Sequence, residues 1–360
     1  MQRAIELAAR GLGKTNPNPL VGAVVVKDGR IIGEGFHEKP GGHHAEINAF
    51  MNAKEPVEGA AMYVTLEPCA HYGKTPPCAD KIIEKGIKQV IIGIKDPNPL
   101  VAGKGIKKLI EAGISVNTGI LADKCRKQNE VFLKFIIEKK PFVILKAGMS
   151  LDGKIATVSG ESRWITCEAS RAHVHQLRNN YMGIMVGINT VFRDNPLLTC
   201  RKRGGRNPIR IIVDSRLRIP INAKVLYGQN ESKTIIATTH LAEPEKIKEL
   251  KGLGVDIIVT EGINDRVNLE RLMELLGERG IDSILLEGGP TLNYSALEAG
   301  IVDKVMMYTA PMLIGGRFSK TAVEGEGIRE LSEAIRLEEI SCRKIDKDIM
   351  IEGYVHKDKR

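Results

Sequence analysis

His44-Ala45-Glu46, followed by Met62-Tyr63-Val64-Thr65 and then by Pro68-Cys69-Ala70-His71-Tyr72-Gly73-Lys74-Thr75-Pro76-Pro77-Cys78, sets the reading of the first half of the chain. One imidazole (His44) and two thiolates (Cys69, Cys78) are borderline-soft donors suited to zinc, and three protein ligands leave a fourth position for water. Such a water ionises near neutral pH. Cys78 opens a predicted helix, Cys78–Lys85, whose free N–H groups and dipole favour a thiolate. Glu46 stands two residues after His44, so it can lie beside the metal without ligating it and carry protons between the water and a leaving group. The alternative is a closed structural site, with His43 or His71 as a fourth ligand.

Outward from this stretch, apolar runs alternate with amphipathic ones. Strands are expected at Val21–Lys27 and Ile31–Phe36 around the turn Asp28-Gly29, at Ala61–Thr65, Gln89–Ile94 and Ile114–Thr118. Helices are expected at His43–Ala53, Cys78–Lys85, Gly105–Ala112 and Lys124–Ile137. An opening hairpin followed by strand–helix alternation predicts an α/β sandwich with helices on both faces of a mixed sheet. Glu138-Lys139-Lys140-Pro141 then marks a boundary, giving domains 1–140 and 141–360. The second alternates again, with strands at Phe142–Ala147, Gly183–Gly187, Ile209–Asp214, Thr234–Ala237, Asp256–Val259, Ser283–Leu286 and Lys304–Thr309, and helices at Cys167–Asn179, Glu245–Leu250, Leu269–Arg279 and Thr291–Ala299.

Composition narrows the function classes. The 360 residues are 42% hydrophobic and 27% charged, the balance of folded domains and too long a chain for one ordinary core. The net charge of +9 is spread along the chain and not blocked, and aromatics make up only 4%. That disfavours nucleic acid, which calls for basic stripes and stacking platforms, and suits anionic, phosphorylated small molecules. An amphipathic N-terminus and the lack of a long apolar run predict a cytoplasmic chain without a membrane span. Six irregularly placed cysteines fit a reducing compartment, and Cys125, Cys167, Cys200 and Cys342 are read as small buried apolar residues.

H-x-E followed by P-C and a further Cys is the signature of zinc-dependent nucleobase deaminases. Here eight residues, not two, separate the cysteines. This P-C-x8-C spacing, with Thr15-Asn16-Pro17-Asn18-Pro19-Leu20-Val21-Gly22 and Asp96-Pro97-Asn98-Pro99, resembles the bacterial bifunctional riboflavin-pathway enzymes, in which diaminohydroxyphosphoribosylaminopyrimidine deaminase is joined to 5-amino-6-(5-phosphoribosylamino)uracil reductase. The resemblance implies a cytidine-deaminase-like first domain with Asn18, His37, Lys74, Asp96 and Asn98 around the substrate. On the residues alone, Asn18 and Asn98 are also ordinary turn residues.

Lys146-Ala147-Gly148-Met149-Ser150-Leu151-Asp152-Gly153-Lys154, Ser162-Arg163-Trp164-Ile165-Thr166, Asn189-Thr190-Val191, Asp194-Asn195-Pro196-Leu197-Leu198-Thr199, Val213-Asp214-Ser215 and Leu286-Glu287-Gly288-Gly289-Pro290-Thr291-Leu292 resemble the reductase half of the same family, of dihydrofolate-reductase-like fold. The family uses NADPH, which places Gly148, Trp164, Thr190, Asp194, Ser215, Gly289, Pro290 and Thr291 at the cofactor, and Ser162, Arg178, Leu198, Arg201 and Glu287 at the substrate. Trp164 can equally be read as core. Ser215 and Arg216 follow a predicted strand and would hold the 2′-phosphate that distinguishes NADPH. No Rossmann G-x-G-x-x-G joins a strand to a helix, and Gly103-Lys104-Gly105 falls in the first domain. The strand–turn–helix around Glu287-Gly288-Gly289-Pro290-Thr291 offers free N–H groups to a pyrophosphate instead. Hydride transfer to the ribosyl chain needs a proton donor, for which Lys146, Asp194 and Glu287 are candidates. Relatives of the reductase half assemble as dimers or larger, so a homo-oligomer is expected. Two competing readings are a nucleic-acid-editing deaminase and a deaminase with a noncatalytic C-terminal module.

Overall fold

The computed structural model describes residues 1–70, 76–98 and 101–356. They form two compact units, Met1–Lys139 and Lys140–Arg360. The first unit runs α1 (Gln2–Ala8), β1 (Gly22–Lys27), β2 (Arg30–Phe36), α2 (Ala45–Met51), β3 (Ala61–Leu66), α3 (Cys78–Glu84), β4 (Gln89–Ile94), α4 (Lys104–Glu111), β5 (Ser115–Thr118), α5 (Ala122–Gln128) and α6 (Glu130–Glu138). Asp28 and Gly29 both take positive φ, 50° and 74°, the backbone that a two-residue hairpin between twisted strands demands. The sheet order is β2-β1-β3-β4-β5, antiparallel up to β3 and parallel from β3 to β5. Val64, Val90 and Ile92 of its central strands pack with Ala49 of α2, Ile82 of α3 and Leu109 of α4 in one core. Val24, on the opposite side of β1, packs with Ala4 and Leu7 of α1.

The second unit continues with β6 (Phe142–Ser150), α7 (Glu168–Asn180), β7 (Gly183–Gly187), α8 (Ile188–Asp194), β8 (Ile209–Val213), β9 (Thr234–Thr238), α9 (Pro244–Gly252), β10 (Asp256–Val259), the short pair β11 (Gly262–Ile263) and β12 (Arg266–Val267), α10 (Leu269–Glu278), β13 (Ser283–Leu286), α11 (Pro290–Glu298), β14 (Lys304–Ala310), β15 (Leu337–Ile345) and β16 (Asp348–Val355). Nine strands form one sheet in the order β10-β9-β8-β7-β13-β6-β14-β16-β15. The strands from β10 to β14 are parallel; β16 and β15 close the edge as an antiparallel hairpin. Central strands buried on both faces read as largely apolar runs without alternation, as in Ile284, Leu285 and Leu286 of β13. Their two faces bury separate cores, one holding Leu145, Met185 and Leu286 and the other Ile184, Val186 and Ile212.

Several expected elements differ. The helix expected over Lys124–Ile137 breaks at Asn129, whose buried amide accepts from Leu20 N at 2.8 Å and donates to Leu20 O at 2.9 Å. His43 is not helical, because the chain is still extended at His44 and α2 begins at Ala45. The strand begun at Phe142 runs through Ser150, which puts Lys146 and Gly148 in mid-strand. Helix α8 and the β15–β16 hairpin were not anticipated; β15 is exposed along most of its length, so it lacks a core-facing apolar alternation. Of the four cysteines read as buried only Cys125 is, and Cys342 lies exposed on β15. No helix among the described residues is long and apolar enough to cross a membrane.

Leu145 is fully buried at the centre of the second unit. Leu145→Ala should destabilise that unit by about 2–5 kcal/mol, read as a lower denaturant midpoint without a changed slope.

Candidate active sites

In the first unit, the extended backbone ahead of α2, the loop after β3 and the first turn of α3 bring His44, Cys69 and Cys78 together. Their donor atoms lie within 4.8 Å of one another. His44 Nδ1 faces Cys78 Sγ at 3.2 Å and Cys69 Sγ at 3.6 Å, and the Cys78 N–H donates to Cys69 Sγ at 3.3 Å. The hydrogen bond between the two thiols lowers Cys69 and, with burial, raises Cys78. Contact with the Cys69 sulfur raises His44. Two sulfurs and a ring nitrogen converging at this spacing are a fitting donor set for zinc. His43 is exposed and lies outside the cluster, so among the described residues no fourth protein ligand closes it; His71 lies outside the described residues, as does Lys74.

Glu46, in the first turn of α2, is 3% exposed, and burial pushes its carboxyl above the ordinary range. His37 is buried beside the cluster, its ring 5.6 Å from that of His44 and nearly perpendicular to it. Its Nδ1–H donates to the His43 carbonyl at 3.0 Å, which fixes the tautomer and leaves Nε2 to accept from Asn18 Nδ2 at 3.1 Å. Burial lowers the His37 pKa, so this ring is a neutral bridge between Asn18 and the segment entering α2. Asp96 and Asn98 follow β4, where Asp96 Oδ1 accepts the Asn98 N–H at 2.9 Å.

In the second unit a cleft of about 1140 Å³ opens where β7, β8 and β13 end. Ser162, Thr190, Asp194, Ser215, Glu287, Gly289, Pro290 and Thr291 all line it. Carboxyl ends of parallel strands are where open α/β sheets take ligands. Gly289 caps α11 in extended conformation with Pro290 as its first residue, so the turn presents N–H groups where Pro has none to lose. Arg193, Arg216, Arg218, Arg266 and Lys320 bring cations to a lining that also carries Asp194, Asp265, Glu287 and Glu324. Ser215 Oγ accepts the Val267 N–H at 3.2 Å, and Arg216 pairs with Asp265 at 3.5 Å, which ties the β11–β12 hairpin to the end of β8.

Glu287 links this cleft to a buried polar cluster. Arg178 grips it with two bonds, Nε to Oε1 at 2.8 Å and Nη2 to Oε2 at 3.0 Å, and Lys146 Nζ stands 3.9 Å away. Burial alone would raise the Glu287 carboxyl, but Arg178 and Lys146 outweigh it and hold it down to about 2. Burial lowers Lys146 below the ordinary ammonium range, against the pull of Glu287 and with the push of Arg178. Two neighbours escaped the sequence reading: His175, held neutral by burial and nearby arginines, accepts the Arg201 N–H at 3.3 Å, and Tyr308 lies with its ring 5.7 Å below Lys146 Nζ. No motif carried them, since both come from unremarkable helix and strand positions.

Other residues stand apart from the cleft. Gly148 packs on Thr166, where a Cβ would press its methyl at 3.0 Å. Trp164 is 63% exposed, not core, with the Arg171 guanidinium 4.4 Å over its ring. Leu198 buries its side chain beside Ile188 and Val191, and Arg201 is exposed.

Residues 141–351 match the RibD C-terminal domain, and residues 1–94 match the cytidine and deoxycytidylate deaminase zinc-binding region. The chain belongs to the RibD family. It is 51% identical to the riboflavin biosynthesis protein RibD of Actinobacillus pleuropneumoniae over 99% of this chain and 94% of that one. Among solved structures it is similar to Acinetobacter baumannii RibD (TM-score 0.89, 38% identity, 99% and 98% of the two chains). It is also similar to a Thermotoga maritima diaminohydroxyphosphoribosylaminopyrimidine deaminase/5-amino-6-(5-phosphoribosylamino)uracil reductase (TM-score 0.87, 40% identity, 99% and 97%). The expected two-domain fold stands, a cytidine-deaminase-like domain followed by a RibD reductase domain. The chain is a bifunctional deaminase and reductase of riboflavin biosynthesis, and neither competing reading is favoured. Its domains imply zinc and a nicotinamide cofactor.

If the three donors hold zinc, the purified protein should carry one equivalent per chain by elemental analysis. Cys69→Ser should lose most of it, while Glu46→Gln, which changes no donor, should keep it.

Proposed function

We propose that residues 1–140 hydrolyse 2,5-diamino-6-(5-phosphoribosylamino)pyrimidin-4-one to 5-amino-6-(5-phosphoribosylamino)uracil, and that residues 141–360 reduce the ribosyl chain of that product to ribityl with NADPH. The observation that carries the reading is the pairing, on one chain, of a three-donor cluster beside the buried carboxylate Glu46 with an arginine-bearing cleft that reaches Glu287. His44, Cys69 and Cys78 would hold zinc, which would supply the Lewis acidity for hydrolysis near neutral pH. Glu46 takes the proton from the attacking water and returns it to the departing nitrogen, so one C–O bond forms, one C–N bond breaks and ammonia leaves. Asn18, His37, Lys74, Asp96 and Asn98 orient the ring and its ribose phosphate.

The nicotinamide cofactor bound in this cleft would supply the hydride chemistry for reducing the opened ribosylamine. Gly148, Trp164, Thr190, Asp194, Ser215, Gly289, Pro290 and Thr291 hold the cofactor, with Arg216 beside Ser215 for its 2′-phosphate. Ser162, Arg178, Leu198, Arg201 and Glu287 position the substrate. Lys146 donates the balancing proton. Glu287, held ionised at about 2, has none to give at neutral pH, and Asp194 lies exposed in the cleft lining. The enzyme works in the cytoplasm as a homo-oligomer, with none of its six cysteines in a disulfide.

Paired variants test the assignment. Glu46→Gln should abolish ammonia release yet still oxidise NADPH when given the deaminated intermediate. Lys146→Gln should release ammonia normally and slow NADPH oxidation by about 100-fold or more. Because the acid must be protonated and its pKa is lowered, parent reductase turnover should fall as pH rises through a value below the ordinary lysine range of about 10.4. A reductase unaffected by Lys146→Gln would remove that role.

A further inference from the structure

We infer that Glu67 is a positioning residue of the deamination site, whose carboxylate fixes the segment carrying Asp96 and Asn98 against the turn that carries Cys69. The inference rests on the reading that Asp96 and Asn98 meet the substrate. Glu67 lies between β3 and Cys69 and is buried, but it belongs to no motif of metal binding or proton transfer. Both its oxygens are engaged by backbone. Oε2 accepts the N–H groups of Asp96 at 3.2 Å and Gly103 at 3.0 Å, and Oε1 accepts those of Gly105 at 3.0 Å and Ile106 at 3.2 Å. Its own N–H donates to the Ile94 carbonyl at 3.0 Å, at the end of β4.

Four N–H donors converge on the two oxygens of one side chain, and leaving those oxygens unpaired in this buried place would be costly. The same contacts explain Gly103-Lys104-Gly105, which has the look of a nucleotide loop. Gly103 takes φ of 76° to cap α4, and a Cβ on Gly105 would overlap the Pro68 carbonyl oxygen, one residue from Cys69. The glycines therefore cradle a carboxylate of the chain itself, not a phosphate. Within the clamped segment Asp96 Oδ1 accepts the Asn98 N–H, and the Asn98 carbonyl accepts the N–H groups of Val101 and Ala102, both at 2.8 Å. Releasing Glu67 would free the residues that face the substrate while leaving all three metal donors in place.

Glu67→Gln tests this, because an amide keeps one oxygen for two of the four N–H groups and turns an NH2 against the other two. In zinc-loaded full-length protein, amide hydrogen exchange over residues 96–98 and 101–106 should speed up. Zinc content should stay at the parent value, and KM for the diaminopyrimidine should rise about tenfold with kcat within about threefold, the pattern of lost uniform binding. Glu67→Asp, charged but one methylene shorter, carries the same test if the amide variant does not accumulate. Parent KM despite faster exchange would overturn the inference. Loss of zinc, or a fall in kcat at unchanged KM, would also overturn it, since the clamp would then serve the ligand turn alone. A parent protein that releases no ammonia would overturn the deaminase reading and this inference with it, whereas parent-like kinetics in both variants overturns the inference alone.

Discussion

Parallel strands all end on the same side of their sheet, and that constraint places the chemistry of each unit. In the first, β3 delivers Glu67 and Cys69 and its parallel neighbour β4 delivers Asp96 and Asn98, so residues nearly thirty positions apart meet at one edge. In the second, β7, β8 and β13 end in the turns that bear Thr190, Ser215 and Glu287 to Thr291. Antiparallel pairing would send alternate turns to the opposite edge and disperse both sites.

The two sites use burial in opposite ways. Around His44, Cys69 and Cys78, donors that would repel or compete for protons are packed close, which makes a cation the natural partner of the cluster. Around Glu287, the counter-charges are built in: Arg178 and Lys146 leave the carboxylate ionised, and Lys146 in turn sits in surroundings that ease its proton loss. Breaking either partner of such a buried pair costs more than an exposed ion pair ever contributes, because a charge is left without water. Surface pairs such as Arg30 with Glu55 carry no comparable weight.

What the sequence made legible follows from how local each signal is. Ligand spacing survives without coordinates, because His44, Glu46, Cys69 and Cys78 owe their identity to donor chemistry. Strands buried on both faces, such as Gly183–Gly187 and Ser283–Leu286, announce themselves as short, largely apolar runs. Asn129 breaks its helix through a bond to Leu20, more than a hundred residues away, and no window around it reveals that. β15 lies exposed at a sheet edge and so carries little of the alternation a half-buried strand shows, while β16 alternates in burial but keeps Ile349 and Ile351 on its exposed side, so its sequence does not alternate. Glu67, His175 and Tyr308 act by where the fold sets them, and a lone Glu, His or Tyr reads like any other. Gly103-Lys104-Gly105, set aside in the sequence as no dinucleotide loop, has its reason in the distant Glu67 carboxylate that it surrounds.

One measurement bears most directly on two consecutive reactions in one chain. Zinc-loaded protein is given the phosphoribosylated diaminopyrimidine with and without NADPH, and ammonia release and NADPH oxidation are followed together. The expected result is ammonia in both samples, with NADPH consumed only after ammonia has appeared. NADPH consumed ahead of ammonia, or ammonia with no NADPH loss, would contradict deamination followed by reduction.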